Sequence, residues 1–298
     1  MSDEMTNGSQ QSTGTNGAQQ ETQGARSDGR GQTALLTGAS SGIGLELARL
    51  FARDGYRLVL VADDTAKLNQ ATQDLGAISD QPVTIIVQDL AEPGAANEIA
   101  DRLVAQGTEV DVLVNDAGIG TYGQFIETDI EEETRLLYIN IVAPTQLTKH
   151  ILPGMVARKR GRILNLASVA SFMPGPLMTV YYASKAYVLS FSEGLAEEVR
   201  GTGVTVTALC PGPTETNFDD RAGLGRIRAF RSRFANVADP ASVAEAGYAG
   251  MLQGKRVVTP NLTARLMTSS SRVMPRGLLA RSAKVLHSQV RNPIERQD

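Results

Sequence analysis

From Thr33 onward, short continuous apolar runs alternate with stretches whose apolar residues recur at helical spacing. The runs are "TALLT", "RLVLVA", "PVTIIVQ", "VDVLVN", "RILNLA", "VTVTALC" and "RVVT". They have strand length and no polar alternation, the pattern of strands covered on both faces. Between them, helices are predicted over residues 42–54, 64–75, 94–106, 129–150, 181–200 and 240–253. The first places Ile43, Leu47, Leu50 and Phe51 on one face and stops at Gly55, a residue suited to ending a helix. Strand, helix and strand repeated in this way predict right-handed crossovers and a parallel, doubly wound α/β sheet of the Rossmann type. Residues 32–260 form one such domain.

Both ends break the pattern. Residues 1–31 hold almost no aliphatic side chains and cannot bury enough surface to offset chain entropy, so a disordered tail is expected. Residues 261–298 are strongly basic, with Leu279, Ala283, Leu286 and Val290 at helical spacing opposite Arg281, Lys284 and Arg291. This predicts a basic amphipathic helix that packs on its own domain or on a partner subunit. A weak contact with an anionic membrane surface is the alternative.

Composition narrows the function classes. A net charge of −3 and a pI near 5.6 give no footprint for nucleic-acid binding. The single cysteine, Cys210, excludes an intrachain disulfide and suits a reducing compartment. With only His150 and His287 beside it, the usual soft-ligand metal sites are hard to assemble and an oxygen-ligand site stays open; no metal is assigned. Neither a signal peptide nor a membrane-spanning run is visible, so a cytoplasmic location is expected.

In doubly wound sheets, ligands sit beyond the carboxyl ends of the strands, and the loops there hold most of the unusual residues. "TGASSGIG" follows the first strand. Gly38, Gly42 and Gly44 let backbone approach a ligand, while Ser40, Ser41 and Ile43 open a helix whose free N–H groups suit a pyrophosphate. After the second strand, Asp63 stands where an acid would bond the adenosine ribose, or where it, Asp64 or Thr65 would cap the next helix. A carboxylate at that point repels a 2′-phosphate, which favours NAD over NADP. Asp89 and Leu90 end the third strand, with Asp89 a candidate for an adenine edge. Asn115, Ala117 and Gly118 form a turn after the fourth strand that supports the cofactor or serves ordinary turn chemistry.

"RILNLASVASFMPGPLMTVYYASK" is read as ending a strand at Ser168 and bringing Tyr181 and Lys185 to one helix face, four residues apart. An ammonium beside a phenol favours the phenolate, so Tyr181 is a candidate proton carrier and Ser168 a hydrogen-bond donor to the same oxygen. Tyr182 misses that spacing and is assigned to packing or to the pocket wall.

Taken together, these motifs resemble the short-chain dehydrogenase/reductase family in order and approximate spacing, over about residues 33–260. The resemblance implies that Ser168 orients the substrate oxygen, that Tyr181 is the general acid/base, and that Lys185 holds the nicotinamide ribose and lowers the tyrosine pKa. It further implies that Asn140 anchors a water in a proton relay, and that Pro211, Gly212, Thr214 and Thr216 contact the nicotinamide end. Where the family often has a second Asn in the turn after the fourth strand this chain has Asp116, a change expected to matter little.

The resulting expectation is an NAD(P)-dependent oxidoreductase that moves a hydride between nicotinamide and a carbonyl or secondary alcohol. Phe172, Met173, Leu177 and Met178 suggest a lipophilic substrate, and the resemblance suggests a homodimer or homotetramer. By the resemblance, the arginine-rich segment 218–234 stands where the family carries a substrate lid; its arginines are read as a solvated helix face, with contact to an anionic substrate group as the alternative. A non-catalytic dinucleotide-binding sensor or scaffold is the rival reading, because fold alone does not specify turnover.

Overall fold

A computed structural model describes residues 27–215, 237–260 and 275–288. Seven parallel strands form one sheet: β1 (Thr33–Thr37), β2 (Arg57–Ala62), β3 (Val83–Val87), β4 (Val112–Asn115), β5 (Gly161–Leu166), β6 (Val204–Leu209) and β7 (Val257–Val258). Their spatial order is β3-β2-β1-β4-β5-β6-β7. The chain runs outward from β1 to β3, then returns to the centre to place β4 beside β1. The register aligns Thr37 with Asn115, so the turns after β1 and β4 meet at this reversal. A crevice at such a point is where a doubly wound sheet receives its ligand.

Helices cover both faces. On one lie α1 (Gly42–Arg53), α2 (Thr65–Gly76) and α7 (Pro240–Leu252), and on the other α3 (Ala95–Ala105), α5 (Ala143–Ala157) and α6 (Thr179–Glu198). Strand residues feed the two cores alternately: Leu36, Leu58 and Leu60 face the first, Leu35, Val59 and Val61 the second. The unbroken apolar runs follow from this two-sided burial. β3 departs from it as an edge strand, and Val87 is exposed.

The helix predicted over 129–150 is three pieces: α4 (Ile130–Leu137), a π-helical turn (Tyr138–Val142), and α5, which runs on to Ala157. Pro144 lies in the first turn of α5 and has no N–H to continue the preceding ladder. The widened turn carries Asn140.

The described part of the leading segment lies against the domain. Ser27 donates its backbone N–H to Asp54 Oδ2 at 2.6 Å, and the buried Tyr248 hydroxyl donates to the same oxygen at 2.7 Å. These contacts begin a few residues ahead of the expected boundary, because Asp54 at the end of α1 is a ready acceptor. At the other end, α8 (Arg276–Ser288) has Leu279 and Ala283 buried while Arg276, Arg281 and Lys284 are exposed. Among the described residues, no helix is long and apolar enough to cross a membrane.

Candidate active site

The turn after β1 is shaped by absent side chains. Gly38 takes a φ of +69°, a backbone that favours glycine, and a Cβ on Gly44 would stand 2.6 Å from the Gly38 carbonyl oxygen and 2.5 Å from Asp116 Oδ2. The glycines therefore let the turn fold tightly over the start of α1. Ser41 caps α1 without a side-chain hydrogen bond, and the first turn of the helix holds no acidic residue of its own. Unfilled N–H groups at a positive helix end fit the pyrophosphate of a dinucleotide. Ser40 is buried in this turn and Ile43 packs inward from α1.

After β2, the two aspartates divide. Asp64 caps α2, its side chain accepting from Lys67 N at 3.0 Å and pairing with Lys67 Nζ at 3.0 Å; these contacts pull its pKa below the usual carboxylate range. Asp63 is exposed and makes no hydrogen bond or ion pair among the described residues. The capping role thus falls to the second aspartate, and the first stays free.

Asp89 is more heavily engaged than an adenine contact requires. Its carboxylate accepts from Arg135 Nη2 at 2.7 Å and from Ala91 N at 2.9 Å, while Leu90 belongs to the core. Asn115 faces the sheet interior: its side chain donates to Asn165 Oδ1 at 2.8 Å and to Thr148 Oγ1 at 3.3 Å. The turn that follows is pinned by Thr37 Oγ1, which accepts from the N–H groups of Asp116 and Ala117, each at 3.2 Å. Gly118 leaves a gap: a Cβ there would stand 3.2 Å from Lys185 Nζ and 3.4 Å from Asn140 Oδ1.

β5 ends at Leu166, and Ser168 lies beyond it as the cap of a 3₁₀ turn (Val169–Phe172). This corrects the expectation that Ser168 closes the strand. The Ala167 N–H bonds to Leu209 O and the Val169 N–H to Pro211 O, so hydrogen bonding on this side passes from the ladder to the turn after β6. Ser168 Oγ accepts from Ala170 N at 3.1 Å, a bond that uses a lone pair and leaves the hydroxyl proton to be donated elsewhere. Ser171 completes a reciprocal cap with Ser168 and donates to the Lys185 backbone carbonyl at 2.7 Å, tying the serine turn to α6.

Tyr181 and Lys185 lie on α6, with Nζ 6.0 Å from the Tyr181 ring centroid. Lys185 is buried and donates to Leu166 O at 2.8 Å. Burial lowers its pKa to about 8, against the opposing pull of Asp116 and Cys210, whose own thiol burial pushes up to about 12. Tyr182 packs over Gly175, where a Cβ would stand 2.2 Å from the ring, and beside Met178 and Tyr122. Burial raises its pKa. Asn140 is a strut: Nδ2 donates to Ile119 O at 2.9 Å and Ser184 Oγ at 3.0 Å, while Oδ1 accepts from Ile119 N at 3.0 Å. Ser184 in turn donates to the Tyr181 carbonyl at 2.7 Å.

On the far side, Thr214 Oγ1 donates to Gly212 O at 3.0 Å. Thr216 and the segment 218–234 lie outside the described residues. Phe172 packs against the cluster of Val188 and Cys210, and Leu177 adopts a φ of +69° with its carbonyl accepting from Gly123 N at 2.9 Å.

Three groups escaped the sequence reading. Ser171 follows Ser168 by three positions, a spacing that suits a capping pair and offered a signal. Ser184 offered none. Asp116 was visible only as a departure expected to matter little, and its surroundings are unusual for a carboxyl. Its side chain is buried at 9% exposure, Oδ1 has no hydrogen-bond partner, and the Gly44 N–H points at the carboxyl. Burial raises its pKa to about 7, although Lys185 and the Gly44 N–H both lower it.

Comparisons with known proteins agree with this geometry. The family model described as short chain dehydrogenase matches residues 32–225. The chain is 39% identical over 183 residues to the very-long-chain 3-oxoacyl-CoA reductase of Pyrenophora tritici-repentis, covering 59% of this chain and 53% of that protein. It is 34% identical over 194 residues to dehydrogenase/reductase SDR family member 7B of Bos taurus, covering 63% and 59%. The match thus spans little more than half the length of these curated relatives. Among solved structures, a short-chain dehydrogenase from Sphingobium yanoikuyae in complex with NADPH superposes with a TM-score of 0.72 at 31% identity, covering 89% of this chain and 99% of that one. The bulky-bulky ketone specific alcohol dehydrogenase from Comamonas testosteroni gives 0.70 at 29% identity, covering 89% and 96%. Matched by that family model over residues 32–225, this chain belongs to the short-chain dehydrogenase family.

Proposed function

We propose that the protein is an NAD(P)-dependent oxidoreductase acting on a carbonyl or secondary alcohol, with Tyr181 as its proton carrier. What supports this reading is the Tyr181 phenol and the buried Lys185 amine on one face of α6, with Nζ 6.0 Å from the ring, and the Ser168 turn tied to the same helix through Ser171 and the Lys185 carbonyl. A sensor needs only the glycine turn and has no use for these three groups.

When bound, a nicotinamide would supply or accept the hydride. In reduction, Tyr181 gives its proton to the substrate oxygen while Ser168 donates a hydrogen bond to the same atom. Oxidation runs the same path backward. Lys185 spends one N–H on Leu166 O and keeps two donors for a ribose. The Asn140 side chain holds the β4 turn to α6, so a relay water would be met by backbone rather than by the amide. Turnover is tested by screening ketones and secondary alcohols for a change in reduced-nicotinamide absorbance. A lipophilic substrate is supported by Met178, Tyr122 and Tyr182 beside Tyr181.

Cofactor choice turns on Asp63. The short-chain dehydrogenase from Sphingobium yanoikuyae was solved with NADPH. Here an exposed carboxylate without a partner follows β2, and Asp64 already serves as the cap. Close approach of a 2′-phosphate to that charge costs enough to favour NADH by at least roughly tenfold. Separate titrations with NADH and NADPH check this, and tighter NADPH binding would refute it. Asp63→Ala should narrow the ratio without loss of stability. Asp64→Ala should leave the ratio alone and lower stability through loss of the cap.

A homo-oligomer is supported by apolar groups left outside on α4 and α6. Leu137 and Tyr187 are exposed, and Tyr187 stacks on Phe191 at 5.9 Å. Light scattering on the purified protein tests this.

A further inference from the structure

We propose that Asp116 is a proton-linked counter-anion of the cofactor cradle: neutral, it leaves the N-terminus of α1 to a dinucleotide pyrophosphate, and ionised, it competes for that positive end. The inference rests on the dinucleotide reading above and concerns how this chain regulates that site.

The geometry places the carboxyl directly behind the glycine turn. Oδ2 would lie 2.5 Å from a Cβ on Gly44 and 3.0 Å from one on Gly38, so no side chain separates it from the backbone that would face a phosphate. The Gly44 N–H, in the first turn of α1, is directed at it, where Ser41 gives no side-chain cap. An anion at a helix N-terminus offsets the partial positive charge there. A second anion arriving from the solvent side gains less from the same helix end and is repelled by the first.

The surroundings leave the proton's position open. β1 presents only the Thr37 hydroxyl, which is engaged with the Asp116 and Ala117 N–H groups, and the turn and α1 present backbone at Gly38 and Gly44. α6 presents Lys185, the one charged side chain among the described residues that acts on the carboxyl; Lys185 is itself flanked by Tyr181 and by the buried Cys210 thiol. Oδ1 lacks any hydrogen-bond partner, so ionising the carboxyl leaves buried charge unsatisfied there, at a cost. Burial brings the carboxyl to about 7, so both states are populated near neutrality.

The linkage has a definite sign. If pyrophosphate binding disfavours the ionised carboxyl, binding takes up a proton, and affinity falls as pH rises through the carboxyl's range. Lys185 titrates on the alkaline side, so the decisive window runs from about pH 6 to about pH 7.5. ADP-ribose is the probe, because it carries the pyrophosphate without the charged nicotinamide. A one-unit rise in the carboxyl pKa on binding predicts roughly threefold weaker ADP-ribose binding across that window. Near pH 7.5 the uptake should be roughly half a proton per ligand, read by calorimetry in buffers of different ionisation enthalpy. Asp116→Asn should flatten both signals, and Asp116→Ser serves the same comparison should the first variant fail to fold. Flat affinity with no proton uptake in the wild type, or uptake that survives both substitutions, overturns the role of Asp116 while leaving the cofactor site standing. If ADP-ribose, NADH and NADPH all fail to bind at any pH, the dinucleotide reading falls and this inference with it.

Discussion

Tyr181→Phe is expected to lower kcat by at least ~100-fold, the low end of what a positioned acid or base contributes, with NADH affinity little changed. The substitution removes one hydroxyl and keeps the ring that packs against Met178 and meets Tyr182 edge-on at 5.9 Å. Lys185 keeps its bond to Leu166 O, and Ser171 keeps its bond to the Lys185 carbonyl, so the supports of the site do not depend on the phenol. The loss should therefore appear in kcat and leave the binding titration in place, the signature of an interaction made only in the transition state. Retained turnover would show that the proton travels by another route. Lost turnover with equally lost NADH binding would point to a collapsed site and deny the phenol a chemical role.

The order of elements was legible because burial on both faces of a parallel sheet writes itself as unbroken apolar runs. "TALLT" and "RLVLVA" coincide with β1 and β2 to the residue. The break between α4 and α5 was hidden, since a π turn keeps nearly helical spacing of apolar residues, and Pro144 alone hinted at it. At the site, Tyr181 and Lys185 were legible because a four-residue spacing fixes a shared helix face. Ser168 was read as a strand end and instead caps the turn beyond it, since its cap bond to Ala170 N depends on where the ladder stops. Which of Asp63 and Asp64 caps α2 was undecidable from adjacent identical residues, and a shift of one position settles it through the Lys67 N–H. Asp116 was the least legible of all. Its character comes from Gly38, Gly44 and Lys185, which are distant in sequence and meet only through the β1–β4 register.

That last group yields the other large effect, on stability. In the unfolded chain the Asp116 carboxyl titrates near 3.8, and in the folded protein burial holds it protonated to about 7. Between these values the folded state binds a proton that the unfolded state has released. Stability from this group is therefore complete in acid, falls as pH rises, and levels off above the native value. The expected slope is about 1.4 kcal/mol per pH unit, or ~3 kcal/mol from about pH 5 to about pH 8. Lys185 does not mimic it: its pKa is lowered from 10.5 to about 8, so its own contribution changes only on the alkaline side of this range. Asp116→Asn removes the titration and keeps the shape. Urea unfolding should find the variant gaining on the wild type as pH rises, by about the same ~3 kcal/mol, since the pull of Lys185 is already contained in the native value of about 7. The two curves should converge in acid, where both side chains are neutral in the folded state. Parallel curves across the whole range would mean that the Asp116 charge is solvated after all, and that its orphaned Oδ1 meets water.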